Sequence, residues 1–258
     1  MDPGEALDRA ADEQGRVRRF VSVMRDVTEL KRAQEQGVEM RLARAVQQKL
    51  YPASPPSLPG FDLAGAAFPA DQTCGDYYDF LRLPCGRLAL AVGDVSGHGF
   101  GAALLMAETR AYLRSLARHT SDPGESLAAL NAFLLEDTED HRFVTLLLVR
   151  LDPARRTIAH AGAGHIHGYV LDGDGGTKRV LESSGPPLGI FPDMPFAAGE
   201  EQALERGDTI LLLTDGVTEA ENREGEPFES ERALRCVAEA RGDDAARIVR
   251  RLHSAVGA

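Results

Sequence analysis

The chain has 258 residues, of which 43% are apolar, enough to bury the core of one large domain with an appendage or of two small domains. Its formal net charge is −11 without a dense basic patch, which argues against a nucleic-acid partner. No signal peptide is recognisable, and no apolar stretch approaches the roughly 18 residues of a membrane span. The 3 cysteines fit neither a disulfide nor a zinc framework. We therefore expect a cytoplasmic protein with reduced thiols and no membrane span.

The N-terminal region predicts one strand followed by a long helix. Residues 16–24 alternate enough for a strand but cannot form a sheet alone. Between Val27 and Leu50, apolar side chains fall mostly at helical spacing, in a narrow stripe that another surface must cover. Packing on the chain's own domain and dimerisation of a signalling helix both remain open. A proline-rich stretch from Pro52 to Pro59 ends the helix and predicts a short, stiff linker.

Beyond the linker, the pattern changes to strands separated by turns, with helices between them. The predicted strands are Phe61–Phe68, Tyr77–Leu83, Leu88–Val92, Phe143–Leu151, Thr157–Ala161, Gly168–Leu171 and Thr209–Leu213. The predicted helices are Gly101–Arg118, Pro123–Leu135, Glu229–Ala240 and Ala245–Val256. Runs of strands with grouped helices predict an α+β fold, in which antiparallel sheets are covered by helices.

Three aspartates stand beside glycines where predicted strands begin or end. Asp94 lies in the loop Gly93–Gly99 after one apolar strand, Asp76 comes just before another strand, and Asp215 follows a third. Each aspartate alone is typical of an ordinary turn. Three carboxylates from separate strands, with few histidines or thiolates at useful spacings, indicate an oxygen-ligand site for Mg²⁺ or Mn²⁺. Such a site favours phosphoryl chemistry over redox chemistry.

Four motifs, taken in chain order, make a family resemblance specific. They are Cys74–Asp79 (CGDYYD), Gly93–Gly99 (GDVSGHG), Ser184–Ile190 (SGPPLGI) and Thr214–Ala220 (TDGVTEA). Together they resemble the bacterial SpoIIE/RsbU-type branch of the metal-dependent protein serine/threonine phosphatases, from about Ala43 to the C-terminus. Upstream, residues 21–31 are similar to the last strand and exit helix of a PAS sensor domain.

The resemblance implies an α-β-β-α sandwich, with two stacked antiparallel sheets flanked by helices around two Mn²⁺ or Mg²⁺ ions. It implies that Asp94 bridges both ions, that the Val95 carbonyl binds one of them, and that Asp76 and Asp215 supply further ligands. These three aspartates are then the catalytic residues, because two cations about 4 Å apart can activate a water for in-line attack on a phosphoester. No nucleophilic serine or cysteine is required.

The resemblance also implies a domain organisation and a substrate. Residues 1–26 would be the C-terminal remnant of a PAS domain, residues 27–52 a linker or signalling helix, and residues 53–258 the phosphatase domain. The implied activity is hydrolysis of phosphoserine or phosphothreonine on a STAS-type anti-anti-sigma factor, in a bacterial partner-switching pathway. The apolar stripe of the N-terminal helix, rather than the resemblance, leaves a homodimer through that helix open as a second association.

The late Asp-Asp-x-Thr motif of the family has no match in this sequence. Asp243 and Asp244 are followed by two alanines in a predicted helix, where the family has threonine and a strand. We therefore expect one metal ligand and the last strand of the phosphatase domain to be missing. A catalytically weak or inactive phosphatase fold that serves as a binding module is the alternative function.

Three smaller features bear on the site. Cys74 replaces the glycine usual in the family, and no arginine between Tyr51 and Asp76 is available to grip a phosphate. His165 and His167 are spaced as a metal-ligand pair, but a turn in which His165 is structural is the preferred interpretation. A nucleotidyl-binding domain is disfavoured, because no glycine-rich loop ends in Lys-Ser or Lys-Thr.

Overall fold

This computed structural model describes residues 6–11, 17–23, 44, 47–68, 75–97, 99–137, 142–222 and 224–256. The chain divides into two compact units, Met1–Leu42 and Ala43–Ala258. Most of the predicted Val27–Leu50 helix lies outside the described residues, as do Cys74 and His98. Predictions about those residues therefore stay predictions.

The first unit contains an antiparallel strand pair. Strand β1 (Ala6–Ala11) pairs with β2 (Val17–Val23), and the register shifts between Ala10 and Ala11. The predicted strand at residues 16–24 is confirmed by β2, whereas β1 was not predicted from the sequence. Alanine, aspartate and arginine rarely favour strands, so β1 forms through its backbone hydrogen bonds to β2.

Within its described residues, the second unit contains eight strands in two antiparallel sheets. They are β3 (Tyr77–Arg82), β4 (Leu88–Val95), β5 (Val144–Asp152), β6 (Thr157–Ala163), β7 (Gly168–Leu171), β8 (Thr177–Leu181), β9 (Gln202–Ala203) and β10 (Thr209–Leu211). The five-stranded sheet has the order β3-β4-β5-β6-β9, and the three-stranded sheet has the order β10-β7-β8. Strands β4 and β5 are buried on both faces, which explains their nearly continuous apolar sequences.

Five α-helices with described bounds follow or separate these strands. They are α1 (Phe100–Leu116), α2 (Pro123–Asp137), α3 (Asp215–Thr218), α4 (Glu229–Glu239) and α5 (Ala245–Val256). Helix α2 begins as predicted. The Asp122 carboxylate caps it by accepting a 2.9 Å hydrogen bond from the Glu125 amide. Pro123 suits the first helical position because it has no N–H that would be left without an acceptor. None of the helices within the described residues is long and apolar enough to span a membrane.

Three apolar clusters hold the layers together. The first joins α1 and α2 to one face of the five-stranded sheet, with Met106 and Leu130 fully buried. The second lies between the two sheets and includes Val149 and Leu181. The third packs the three-stranded sheet against α4 and α5. The layer order is therefore helices, sheet, sheet, helices, and the predicted α+β sandwich of two stacked antiparallel sheets is confirmed.

The predicted strand Phe61–Phe68 is wrong. Phe61 makes one isolated bridge to Leu58, and the residues after it join no ladder. A Cβ at Gly65 would lie 2.6 Å from the Tyr78 ring, and the Gly65 carbonyl accepts a hydrogen bond from the Tyr78 hydroxyl. The segment is thus fixed by a side chain of β3 rather than by strand pairing.

Candidate metal centre

The antiparallel pairing of β3 and β4 brings two of the predicted aspartates to one edge of the sheet. Tyr77 at the start of β3 is the register partner of Gly93 near the end of β4. Asp76 therefore emerges beside Asp94. A backbone hydrogen bond of 3.3 Å, from the Val95 amide to the Gly75 carbonyl, extends the contact between the two segments beyond the paired strands.

Gly75 permits this close approach. A Cβ at this position would lie 2.4 Å from the Val95 carbonyl oxygen and 2.7 Å from Oδ1 of Asp94. Any side chain would therefore occupy the space in front of both oxygens. The glycine before Asp76 leaves a small cradle that is lined by a carboxylate and a backbone carbonyl.

Asp215 reaches the same place from the other sheet. It follows β10 and is the first residue of the short helix α3. The side chain of the preceding residue, Thr214, hydrogen-bonds the Asp76 carboxylate. A Cβ at Gly216 would lie 3.5 Å from Oδ2 of Asp76, so the two motifs are in contact.

The three carboxylates repel one another. Burial, with the charges of Asp215 and Asp76, raises the pKa of Asp94 to about 7. Burial also raises the pKa of Asp76, with a smaller increase from Asp215, although the hydrogen bond from Thr214 opposes it. Carboxylates held together without a compensating cation are typical of sites that bind one.

The donor set fits a hard divalent cation. Three carboxylates and the buried Val95 carbonyl are oxygen ligands of the kind that Mg²⁺ and Mn²⁺ prefer. Within the described residues, however, no three acidic, histidine or cysteine side chains are already grouped tightly enough to hold an ion. Asp76, Asp94 and Asp215 are therefore neighbours whose side chains would have to turn toward a common point.

The second carboxylate of the CGDYYD motif lies elsewhere. Asp79 is buried with Tyr77 on the other face of β3, because side chains alternate along a strand. Its two oxygens accept hydrogen bonds from the Arg114 guanidinium at 2.7 and 2.8 Å, and Arg110 lies 3.7 Å away. Asp79 therefore anchors α1 on the sheet, whereas Asp76 serves the candidate site.

His165 is a structural residue, in agreement with the preferred interpretation. It is buried, with Nδ1 2.9 Å from the Thr145 hydroxyl and Nε2 2.9 Å from the Leu213 carbonyl. Both ring nitrogens are thus engaged within the protein. His167 is exposed, so the two histidines form no ligand pair. The sequence motif GAGH marked this turn, but nothing in it indicated Thr145 as the partner.

Two other motif residues, Ser96 and Leu188, make hydrogen bonds that hold their loops against the start of β5, near the three aspartates. The Ser96 amide donates to the Phe143 carbonyl, and the Ser96 hydroxyl accepts from the Phe143 amide, both at 2.9 Å. This hydroxyl fastens the loop and is no nucleophile. In the SGPPLGI motif, Leu188 exchanges two backbone hydrogen bonds with Val144 at the start of β5.

A match to a family model confirms the family membership that these motifs indicated. The model described as Stage II sporulation protein E (SpoIIE) matches residues 84–258. The chain belongs to the SpoIIE family. Phosphoserine phosphatase RsbU of Bacillus subtilis is 32% identical over 192 residues, which cover 74% of this chain and 57% of RsbU. RsbP of the same organism, also a phosphoserine phosphatase, is 28% identical over 57% of this chain and 37% of its own. The chain therefore spans little more than half of RsbU and less of RsbP.

Solved structures agree with this membership of the SpoIIE family. The SiaA-PP2C domain of Pseudomonas aeruginosa has a TM-score of 0.72 at 23% identity, covering 90% of this chain and 92% of that one. The RsbU and RsbW domains of a Mycobacterium tuberculosis protein give a TM-score of 0.60 at 29% identity, covering 74% of this chain and 52% of that one. The first likeness supports the fold of the SpoIIE-family chain over nearly its whole length.

Proposed function

We propose that this chain is a divalent-metal-dependent phosphoserine/phosphothreonine protein phosphatase. The observation that carries the proposal is the meeting of three carboxylates from separate elements of two sheets beside the Val95 carbonyl. Asp94, whose pKa is raised to about 7, lies among them. The likeness to RsbU and RsbP, both named phosphoserine phosphatases, points to the same reaction.

In this proposal, Asp76, Asp94 and Asp215 hold two Mn²⁺ or Mg²⁺ ions together with the Val95 carbonyl. Bound ions of this kind lower the pKa of water and neutralise charge on phosphate oxygens. The protein contributes the placement of the carboxylates and the open cradle in front of Gly75. Asp94, whose pKa is raised to about 7, is only partly ionised near neutral pH in the metal-free chain, and a bound cation would displace the remaining proton. No side-chain nucleophile is needed, because a water activated by the bound ions would attack the phosphoester directly.

The proposed substrate is a STAS-type anti-anti-sigma factor phosphorylated on serine or threonine. Two relatives favour such a partner-switching context. The Mycobacterium tuberculosis structure contains RsbU and RsbW domains of one protein, and another similar structure, at a TM-score of 0.53, belongs to a study of the bacterial stressosome. The acidic character of this chain, with a net charge of −11, is compatible with a protein substrate and disfavours nucleic acid.

The N-terminal region is proposed as the input. Residues 1–26 would be the end of a PAS domain, residues 27–52 a signalling helix, and residues 53–258 the phosphatase domain. A dimer through the helix, or a movement of it, would then adjust the metal-binding loops. Fusion of a constitutive dimeriser to residue 27 should change the turnover of the phosphatase domain, and unchanged turnover would contradict this input.

The direct test is hydrolysis of a phosphorylated STAS protein and of p-nitrophenyl phosphate across a Mn²⁺ titration. We expect turnover that requires Mn²⁺, disappears with EDTA and is lost in Asp94→Asn. The matched control is Asp174→Asn, which changes an exposed aspartate between β7 and β8. Turnover that survives both EDTA and Asp94→Asn would exclude the proposed mechanism.

A binding module without catalysis is the second candidate. The observation that favours it is that, within the described part of the chain, no three potential ligand side chains are grouped tightly enough for an ion. The same Asp94→Asn variant separates the two functions. An enzyme loses turnover, whereas a binding module without turnover retains its affinity for the phosphorylated STAS protein in pull-down or calorimetry.

A further inference from the structure

The ring of His165 connects the two sheets directly beneath the candidate metal centre. Only 5% of this residue is exposed. On one side its Nδ1 meets the hydroxyl of Thr145 in β5 of the five-stranded sheet. On the other side its Nε2 meets the carbonyl of Leu213, just after β10 of the three-stranded sheet.

Each end of this connection is next to a different aspartate. Thr145 is the register partner of Asp94 across the β4–β5 ladder, and its hydroxyl also lies 3.4 Å from the Asp94 carbonyl. Leu213 precedes Asp215 by two residues along the chain. The three-membered connection Thr145–His165–Leu213 therefore runs from the backbone of Asp94 to the backbone two residues before Asp215.

The acceptor at Leu213 fixes the tautomer of the ring. A carbonyl can only accept, so Nε2 of His165 carries the hydrogen and Nδ1 of the neutral ring accepts from the Thr145 hydroxyl. Burial lowers the pKa of His165, which favours this neutral form. The Thr145 hydroxyl has one hydrogen, so its bond to Nδ1 dominates over the longer contact with the Asp94 carbonyl.

The backbone on both sides of His165 holds the ring in this orientation. The His165 amide and carbonyl both lie 2.9 Å from the Ser183 hydroxyl, which accepts from the first and donates to the second. The preceding residue, Gly164, has φ of 61°, and a Cβ there would lie 2.5 Å from Pro187. The turn before His165 is thus fixed by a position that requires glycine.

We propose that His165 is a positioning residue that sets the separation between the carboxylates of Asp94 and Asp215. It touches neither substrate nor ion, and it acts through Thr145 and Leu213. The inference rests on the proposed function, because this separation matters only where both carboxylates serve the same ions. Residues that orient metal ligands from behind commonly change metal affinity by about 10–100-fold when they are replaced.

The test compares His165→Leu, which deletes both hydrogen bonds at similar volume, with His165→Gln, which retains an amide able to donate toward Leu213. His160→Leu is the matched control, because His160 lies on β6, the strand that leads into the turn at His165, and its hydrogen-bond partner is Glu182. Mn²⁺ affinity is measured by calorimetry on the full chain, and the thermal midpoint in EDTA reports folding. We expect about a tenfold or greater loss of Mn²⁺ affinity for His165→Leu, partial rescue for His165→Gln, and no change for His160→Leu.

A second variant keeps the inference testable if His165→Leu does not fold. Thr145→Val removes one end of the connection without changing its shape and should also weaken Mn²⁺ binding. If the connection acts as a unit, the double variant Thr145→Val/His165→Leu is no weaker than His165→Leu alone. Wild-type Mn²⁺ affinity in folded His165→Leu, or in Thr145→Val, would overturn the positioning role.

The binding measurement also separates this inference from the proposed function. A chain that binds Mn²⁺ but hydrolyses no phosphoester would contradict the phosphatase proposal, while the affinities of the His165 variants would still decide the positioning role. A wild-type chain that binds no Mn²⁺ at millimolar concentration would contradict both.

Discussion

The hydroxyl of Tyr51 donates a 2.7 Å hydrogen bond to the backbone carbonyl of Asp76. Tyr51 also stacks on Tyr78, with ring centroids 5.6 Å apart and planes 19° from parallel. It follows directly on the turn at Gln47–Leu50, which ends the predicted N-terminal helix. Tyr51, the first residue after that helix, is therefore hydrogen-bonded to the backbone of Asp76, a candidate metal ligand.

Tyr51→Phe should weaken Mn²⁺ binding while keeping the stacked ring. The lost hydrogen bond is worth about 1 kcal/mol, or about fivefold in affinity if it is expressed fully at the site. Tyr78→Phe is the control, since it removes a similar tyrosine-to-carbonyl bond, at Gly65, away from Asp76. Calorimetry with Mn²⁺ compares the two variants, and equal affinities would show that the Tyr51 bond has no influence on the site.

Gly75→Ala should nearly abolish metal binding and turnover. The added methyl group would lie 2.4 Å from the Val95 carbonyl and 2.7 Å from Asp94 Oδ1, so the loop must shift away from both oxygens. Gly173→Ala is the control, because its nearest neighbours are 3.9 Å away. A Gly75→Ala variant with wild-type Mn²⁺ dependence of p-nitrophenyl phosphate hydrolysis would show that the cradle is not used.

Asp94→Asn should stabilise the metal-free chain near neutral pH. The folded chain holds the Asp94 proton more tightly than the unfolded chain, because burial and the neighbouring carboxylates raise the pKa from 3.8 to about 7. The ionised carboxylate therefore destabilises the fold, and this destabilisation accumulates as the pH rises from 3.8 to about 7.

Thermal melts in EDTA across this pH range check the prediction. The thermal midpoint of Asp94→Asn should exceed that of the wild type by a margin that is smallest at the acidic end and grows toward neutral pH. Asp174→Asn should show no such trend. Mn²⁺ affinity of the wild type should rise over the same interval, because binding displaces the Asp94 proton. A pH-independent difference in midpoint would contradict the raised pKa.

Asp79→Ala and Asp76→Ala should have opposite effects, although both residues belong to one motif. Loss of Asp79 leaves Arg114 and Arg110 without their buried partner and should cost about 1.5–3 kcal/mol of unfolding free energy, because the half-exposed Arg114 can be hydrated. Loss of Asp76 relieves repulsion among carboxylates and should leave metal-free stability unchanged or higher, while weakening Mn²⁺ binding. Urea unfolding and Mn²⁺ calorimetry on both variants distinguish these roles.

Much of the fold could be predicted because buried faces of strands and helices require apolar residues at regular spacing in the sequence. Strands β3 to β7 are apolar on one or both faces, and each was predicted within a few residues. Four of the five residues of β8 are exposed, and β9 has two residues, so neither carries a pattern that a strand prediction can detect. The segment Phe61–Phe68 has the composition of a strand but is held by the Tyr78 side chain.

The candidate site could be predicted only in part. The motifs marked Asp76, Asp94 and Asp215, and the structure brings all three to one edge. Whether Asp76 or Asp79 faces that edge depended on where β3 begins, which sequence alone fixes poorly. Thr145 carries no local signal, because its place opposite Asp94 is set by the register between two strands, and the two residues are 51 positions apart in the chain.

The three candidate ligands are not held with equal rigidity. Asp94 belongs to β4, which is hydrogen-bonded on both sides, by β3 and by β5. Asp76 lies just outside the edge strand β3, and Asp215 opens a helix of 4 residues. Amide exchange should therefore be slow along β4 and faster at Asp76 and Asp215. Asp94 is the most firmly held of the three candidate ligands, so the separations within the candidate site would change mainly through movement of Asp76 and Asp215.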